Sequence, residues 1–313
     1  MPLVKTKELS FANFPSDFNF KSNFIVDIIQ DIADSDDEIF SMISDNSFFF
    51  SGCYPHSNLW SRFFHRIEAE IDPKKMTKWL TLQNGVDKVP SGFTKSMWIT
   101  FENRRPPSSL YQRTLSFDVD SFSGSNHYFP LWVSYIDFLE SEGKWVRHKV
   151  NQKELMKARV LKDQNRRFAC AFINNPDPVR LRAIEMLRKI GTVDVFGRFS
   201  GRYVSDKIGK SQDYKFSVCF ENDLYPGYVT EKPLEAWLGG TLPLYWGDDV
   251  ENYLCSSAII NFKSYNRLTD FVDYVALLNS NEDLFAFHFE QPLLQKEFDV
   301  NALKNFFRSW ILE

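Results

Sequence analysis

Lys215-Phe216-Ser217-Val218-Cys219-Phe220-Glu221-Asn222, followed by Gly227-Tyr228-Val229-Thr230-Glu231-Lys232-Pro233, spells out a strand, a turn and the start of a helix. Strands of parallel sheets are buried on both faces and so run almost continuously apolar, and ligands of α/β folds collect beyond their C-terminal ends. Pro233 suits the first turn of a helix, where a missing N–H costs nothing. Lys232 does not suit it: a cation at the positive end of the helix dipole is misplaced by a few tenths of a kcal/mol, which a bound anion would offset. The fold and a candidate phosphate site are thus both implied by one stretch.

Working outward, the same rhythm recurs. Phe168–Ile173 is a continuous apolar strand, Val193–Phe196 and Leu242–Tyr245 are others, and Ala258–Phe262 closes the series. Between the first two, Asp177 caps a helix with Pro178 at its first position, Ala183, Ile184, Leu187 and Ile190 on one face, and Gly191 at its end. Helices near Thr230 and near Arg267 follow, so the second half is α/β around a parallel sheet. Arg180 lies early in the Asp177-capped helix and on its apolar face. It is a second cation at a helix N-terminus, and the two together point to a shared pyrophosphate; taken singly, Arg180 could equally snorkel past the core rim or pair with a carboxylate.

The chain has 313 residues, 43% hydrophobic and 25% charged, with a formal net charge of −4. That length suggests two domains, and that balance gives no basic field to attract nucleic acid. We expect an N-terminal domain over 1–160, a C-terminal one over 161–297 and a terminal helix over 298–313, the boundary falling in the charged stretch from Asn151 to Arg167. In the first half an apolar strand near Phe24, the run Ser47–Phe50 and the run Ser96–Phe101 alternate as βα units, the last ended by Pro106 and Pro107. The four cysteines are far apart, which argues against a disulfide framework or zinc knuckle.

Phe220-Glu221-Asn222, Gly227 to Lys232 and Gly240-Thr241-Leu242-Pro243-Leu244-Tyr245-Trp246-Gly247 together resemble the donor-binding signature of glycosyltransferase family 10, the alpha-1,3/4-fucosyltransferases, in their bacterial form. Val193–Arg198 resembles that family's strand and glycine turn, and Pro178-Val179-Arg180 the segment carrying its phosphate-binding arginine. The resemblance covers about 165–307 well and 47–138 more loosely. It implies two Rossmann-like domains facing across a cleft, the GT-B arrangement, with GDP-fucose as donor substrate and inversion at the fucose anomeric carbon. It also implies that Arg180 and Lys232 hold the GDP phosphates, while Asn222, Tyr228 and Glu231 contact ribose, fucose or neighbouring groups. The family default is alpha-1,3 transfer to the GlcNAc of an N-acetyllactosamine-type acceptor glycan. A GT-B enzyme with another nucleotide sugar, or a non-catalytic glycan- or nucleotide-binding module, remains the alternative.

An inverting transfer needs a carboxylate to take the acceptor hydroxyl's proton. Glu102 is the catalytic candidate: it follows the strand ending at Phe101, in Glu102-Asn103-Arg104-Arg105-Pro106, which resembles the family's Glu-Asn-x-x-Pro turn although Phe101 stands where glycine is common. Phe-Glu-Asn occurs again at 220–222, which makes Glu221 a rival on pattern, but one in the donor half. Asp118-Val119-Asp120 is a D-x-D of the kind that holds metal in another glycosyltransferase fold; here it reads as a turn, and no metal is required, though a divalent ion could aid GDP release. Gly209-Lys210-Ser211 lacks the upstream glycine of a phosphate loop, and the five histidines lack ligand spacing, with His127 read as a surface turn residue. Trp60, Trp98, Trp132 and Tyr128 are candidate sugar platforms. With neither a signal-peptide core, a spanning segment nor an N-x-S/T sequon in view, the expected location is cytoplasmic.

Overall fold

The computed structural model describes residues 28, 31–32, 48–51, 79–82, 95–99, 103, 105, 111–137, 150–161 and 166–313. The chain divides into one unit of Met1–Phe129, Ser134–Lys149 and Asp299–Glu313 and another of Pro130–Val133 and Val150–Phe298. The changeover at Lys149 and Val150 compares with the division expected at 160.

In the first unit β1 (Phe48–Ser51), β2 (Trp79–Leu82), β3 (Lys95–Ile99), β4 (Arg113–Ser116) and β5 (Asn126–Tyr128) form a five-stranded sheet in the order β2-β1-β3-β4-β5, every pair parallel. Met97 and Leu115 are fully buried in it. The apolar run expected as a strand near Phe24 is helical at its described positions, Ile28, Asp31 and Ile32. Ile28 and Ile32 are both buried, and a spacing of four puts them on one helical face.

The second unit repeats the topology. β6 (Arg167–Phe172), β7 (Val193–Phe196), β8 (Tyr214–Phe220), β9 (Leu242–Trp246) and β10 (Ile260–Asn261) are parallel in the order β10-β9-β8-β6-β7. Seen in chain order both sheets are 2-1-3-4-5, the doubly wound order whose direction of progress reverses between its first and third strands. In the second unit that switch point lies between β6 and β8. The helices are α1 (Gln152–Leu155), α2 (Pro178–Leu187), α3 (Lys207–Ser211), α4 (Lys232–Leu238), α5 (Leu268–Ser280) and α6 (Glu282–Phe289). Ala183, Ile184 and Leu187 of α2 and Phe271, Val272, Val275 and Leu278 of α5 bury against Ala169, Ala171, Phe216, Val218 and Leu244 of the sheet. β10 is shorter than expected because Phe262 turns away, with the Asn261 side chain accepting from the Lys263 N–H at 3.1 Å.

A last helix, α7 (Val300–Leu312), belongs to the first unit. Asp299 caps it by accepting from the Ala302 N–H, and Leu303, Phe307, Trp310 and Ile311 form its buried stripe. The buried Lys95 ammonium donates to the Trp310 carbonyl at 2.8 Å, placing a cation at the negative end of the helix. No helix among the described residues is long and apolar enough to cross a membrane.

Candidate functional site

Arg180 and the β8 terminus meet at the switch point of the second sheet. Asp177 accepts from the backbone N–H groups of Val179 and Arg180, which starts α2 just beyond β6 and sends Arg180 along the buried face. Its guanidinium donates to the Asn175 carbonyl at 3.0 Å, the Phe220 carbonyl at 2.7 Å, the Glu221 carbonyl at 3.1 Å and Asn222 Oδ1 at 3.0 Å. These acceptors fix its position but are uncharged, and among the described residues no carboxylate lies within ion-pair distance. Burial pulls its pKa below the ordinary arginine value, against the attraction of Asp177 and Glu221. Only 4% of the residue is exposed.

Lys232 is compensated differently. Glu221 is wholly buried, and its carboxylate accepts from the Thr230 N–H at 2.8 Å, from the Thr230 hydroxyl at 2.7 and 3.0 Å, from the Lys232 ammonium at 2.8 Å and from the Tyr245 hydroxyl at 3.3 Å. Lys232 also donates to Thr230 Oγ1 at 2.9 Å, so two of its three N–H donors are committed while 22% of its side chain stays exposed. Burial alone would lower its pKa; Glu221, with Glu231 and Tyr228, more than reverses this and holds the ammonium above its ordinary value. The expected misplacement of a cation at the start of α4 is therefore offset from within the protein, by Glu221. Sequence reading weighed Glu221 as a rival base, whereas full burial and four donors make it the support of Lys232.

Around this cluster, Asn222 is exposed apart from its bond to Arg180, and Glu231 is half-buried at the α4 N-cap without a capping bond. Tyr228 is 1% exposed, so its ring packs inside the loop instead of lining an open surface. The loop is pinned to the end of β9 by the Gly227 N–H donating to the Asp248 carbonyl at 2.9 Å. Two glycines of the β9 segment have local reasons. Gly240 follows α4 with a left-handed φ of 66°, and Gly247 lies under the Tyr245 hydroxyl, where any Cβ would displace the ring that donates to Glu221. Arg180, Lys232 and Glu221 form a cluster of net positive charge, with Asp177 and Glu231 at its edge, and its two cations suit a diphosphate.

Glu102 lies outside the described residues, as does Trp60. Asp120 Oδ1 accepts from the Phe122 N–H at 2.8 Å, and Asn126 donates to the carbonyls of Asp118 and Asp120, so the D-x-D segment forms a turn. His127, expected on a surface turn, sits in β5 with its ring 5.3 Å from Phe306; burial lowers its pKa. Trp98 and Trp132 are core residues, 5% and 1% exposed, and Tyr128 is half-buried. Sequence reading missed Arg159, whose guanidinium donates to the carbonyls of Phe289, Trp237 and Thr241 at 2.6 to 2.7 Å and stacks 3.8 Å from the Phe289 ring. Its lysine- and arginine-rich surroundings read in the sequence only as the domain boundary.

Beyond β9 a cavity of about 280 Å³ is lined by Asp248, Asp249, Lys263, Tyr265, Tyr274 and His288, among others. Burial pushes the Asp249 carboxyl up from 3.8 to about 6, against the backbone N–H of Leu254, which donates to Oδ2 at 2.6 Å. A raised folded-state pKa means that the folded protein binds this proton more tightly, so stability falls as pH rises from about 4 to about 6 and stays lower above. Asp249→Asn should therefore raise thermal stability at pH 8, by up to about 3 kcal/mol, and change it little at pH 4. Calorimetric unfolding at both pH values checks this, and an equal loss at both would overturn it.

A doubly wound parallel unit of this topology is of the Rossmann-like class, here with cations gathered at its switch point. Residues 162–306 match the family model described as glycosyltransferase family 10 (fucosyltransferase) C-term. The chain is 31% identical over 263 residues to 4-galactosyl-N-acetylglucosaminide 3-alpha-L-fucosyltransferase 9 of Bos taurus, covering 80% of this chain and 66% of that protein. It is 26% identical over 229 residues to the alpha-(1,3)-fucosyltransferase FucT of Helicobacter pylori, covering 64% and 47%. Residues 162–306 belong to glycosyltransferase family 10, and the chain spans less than two thirds of the length of these relatives. Solved structures of an alpha1,3-fucosyltransferase with GDP and with GDP-fucose share its fold, with TM-scores of 0.61 and 0.60 at 19% and 18% identity, each covering 86% of this chain and 92% of the other. The fold is thus the GT-B type, built from two Rossmann-like units.

Proposed function

We propose that the chain transfers fucose from GDP-fucose to a hydroxyl of an acceptor glycan, inverting the anomeric carbon, with alpha-1,3 transfer to the GlcNAc of an N-acetyllactosamine-type unit as the expected linkage. The observation that carries this reading is the net positive Arg180–Glu221–Lys232 cluster at the switch point of the family 10 unit. Support comes also from the relatives, which are named as 3-alpha-L-fucosyltransferases, and from the related fold being solved with GDP and GDP-fucose.

In this reading Arg180 and Lys232 neutralise the diphosphate as the bond between its oxygen and the fucose anomeric carbon breaks. Arg180 contributes the charge that no carboxylate cancels, and Lys232 contributes its remaining N–H donor. Asn222 and Glu231 contact ribose, fucose or neighbouring groups, the half-buried Glu231 carboxylate being an acceptor for a hydroxyl, while Tyr228, expected among these contacts, is buried and supports the loop from within. Glu102 takes the acceptor proton as the new C–O bond forms. The reaction so written has no step that needs a metal. A cytoplasmic location belongs to the same reading, with the buried, unpaired thiols of Cys170 and Cys219 consistent with it.

The test is a panel of nucleotide sugars assayed for hydrolysis and transfer, followed by a glycan array with the active donor. Turnover of GDP-fucose is expected; turnover of another donor only, or GDP binding without turnover, would replace the reading. Arg180→Ala and Lys232→Ala should each weaken GDP binding by about tenfold to a hundredfold, since a charge-assisted contact contributes about 1.5–3 kcal/mol. The loss should be larger for Arg180, because Lys232 shares its charge with Glu221. Unchanged GDP affinity in both folded variants would sink the assignment.

A further inference from the structure

Pro130–Val133 belongs to the second unit, while the residues on either side of it, Phe129 and Ser134, belong to the first. This short strap follows β5 and begins a 3-10 turn at Leu131, closed by the Val133 N–H donating to the Pro130 carbonyl at 3.0 Å. Trp132 anchors it. The indole ring is buried and packs edge-on, with its centroid 5.5 Å from that of Tyr253 and 6.3 Å from that of Phe298, both in the second unit. Its N–H is buried without an acceptor among the described residues, so Trp132 holds the strap through its ring contacts.

With the strap so placed, the Leu131 N–H donates to the Val229 carbonyl at 3.0 Å. That carbonyl belongs to the peptide joining Val229 to Thr230, and the N–H at the other end of the same peptide donates to Glu221 at 2.8 Å. A trans peptide is planar with its C=O and N–H pointing opposite ways, so a plane held at one end is aimed at the other. Tilting it away from Leu131 would turn the Thr230 N–H off the carboxylate that accepts from Lys232 at 2.8 Å. The Gly227 N–H, bonded to the Asp248 carbonyl, fixes the start of this loop, and Leu131 fixes its end. Val229 and Thr230 are both buried, where a backbone carbonyl left unpaired is costly.

We propose that Leu131 and Trp132 are positioning residues of the donor site, setting the Val229–Thr230 peptide and through it the Glu221–Lys232 pair. The inference rests on the reading that Lys232 binds the donor's diphosphate. The effect of the strap reaches the ligand through Lys232, which separates it from a general contribution to folding.

Leu131 opens its turn, a position that accepts proline, so Leu131→Pro removes the N–H while keeping the turn, and Leu131→Ala removes the side chain while keeping the N–H. Calorimetric titration of the full chain with GDP should show a loss of about 2- to 10-fold in Leu131→Pro, the effect of one hydrogen bond, and wild-type affinity in Leu131→Ala. Trp132→Ala should bind GDP as weakly as Leu131→Pro, and Trp132→Phe, which keeps an aromatic ring, should recover most of the affinity. In a Lys232→Ala background Leu131→Pro should have no further effect on GDP binding, because contacts in one network are not additive. A strap that only supports folding would lower thermal stability and show no such coupling. If Leu131→Pro binds GDP as Leu131→Ala does, or if its loss simply adds to that of Lys232→Ala, the positioning role is overturned while the donor reading stands. A folded Trp132→Ala protein with wild-type GDP affinity would remove the ring as the anchor. If Lys232→Ala itself leaves GDP affinity unchanged, the donor reading fails at Lys232 and the positioning role fails with it.

Discussion

Glu102→Gln should lower turnover at saturating substrates by about 10²- to 10⁴-fold while leaving GDP affinity near wild type, because glutamine keeps the shape of the side chain and cannot accept a proton at neutral pH. Glu102 follows β3, which ends at Ile99 inside a parallel sheet, and the C-terminal edge of such a sheet is where its ligands collect. The competing explanation of this carboxylate is an ion pair with a neighbouring arginine. Arg105, one of those neighbours, donates to Asn103 Oδ1 at 2.7 Å. Single-turnover kinetics with donor bound in advance would isolate the proton-transfer step. Near-normal turnover in Glu102→Gln would remove the residue as base.

How far the site was legible follows from which interactions are local. Arg180 announced itself because the Asp177 cap, Pro178 and the apolar positions 183, 184 and 187 fix the helix register, and that register puts residue 180 on the buried face. Its partners did not, since the carbonyls of Phe220 and Glu221 come within reach only because β8 lies next to β6, an order set by the packing of the sheet. The anomaly at Lys232 was visible as a cation in the first turn of a helix. Its resolution was not: Glu221 stands eleven residues earlier in a strand, and nothing in the pattern says that its side chain turns toward α4. Arg159 failed for the opposite reason. A charged stretch without an apolar face looks solvated, yet three backbone carbonyls and an aromatic ring form a socket for one guanidinium, and all come from segments at least seventy residues further on. The early helix around Ile28 was misread because a short apolar run fits both periods.

Glu221→Gln should destabilise the second unit by about 3 kcal/mol or more, since removing one partner of a buried pair leaves the other charge uncompensated. The amide keeps the volume and can still accept from Thr230, so the loss reports on the charge of Lys232 and not on a cavity. The double variant Glu221→Gln/Lys232→Met should recover a large part of that stability, because the orphaned ammonium is gone. Donor binding should behave oppositely. The double variant lacks a phosphate ligand and should bind GDP weakly, whereas any Glu221→Gln protein that remains folded keeps an ammonium freed from its carboxylate. Turnover measured at donor saturation should fall less in Glu221→Gln than in Glu102→Gln, as Glu221 is sealed from any acceptor. Thermal unfolding, GDP titration and turnover on the three proteins decide the matter. If the double variant is no more stable than Glu221→Gln, the Lys232–Glu221 pair is not what holds this turn. If the donor-saturated loss is confined to Glu221→Gln, the proton-accepting role moves from Glu102 to Glu221.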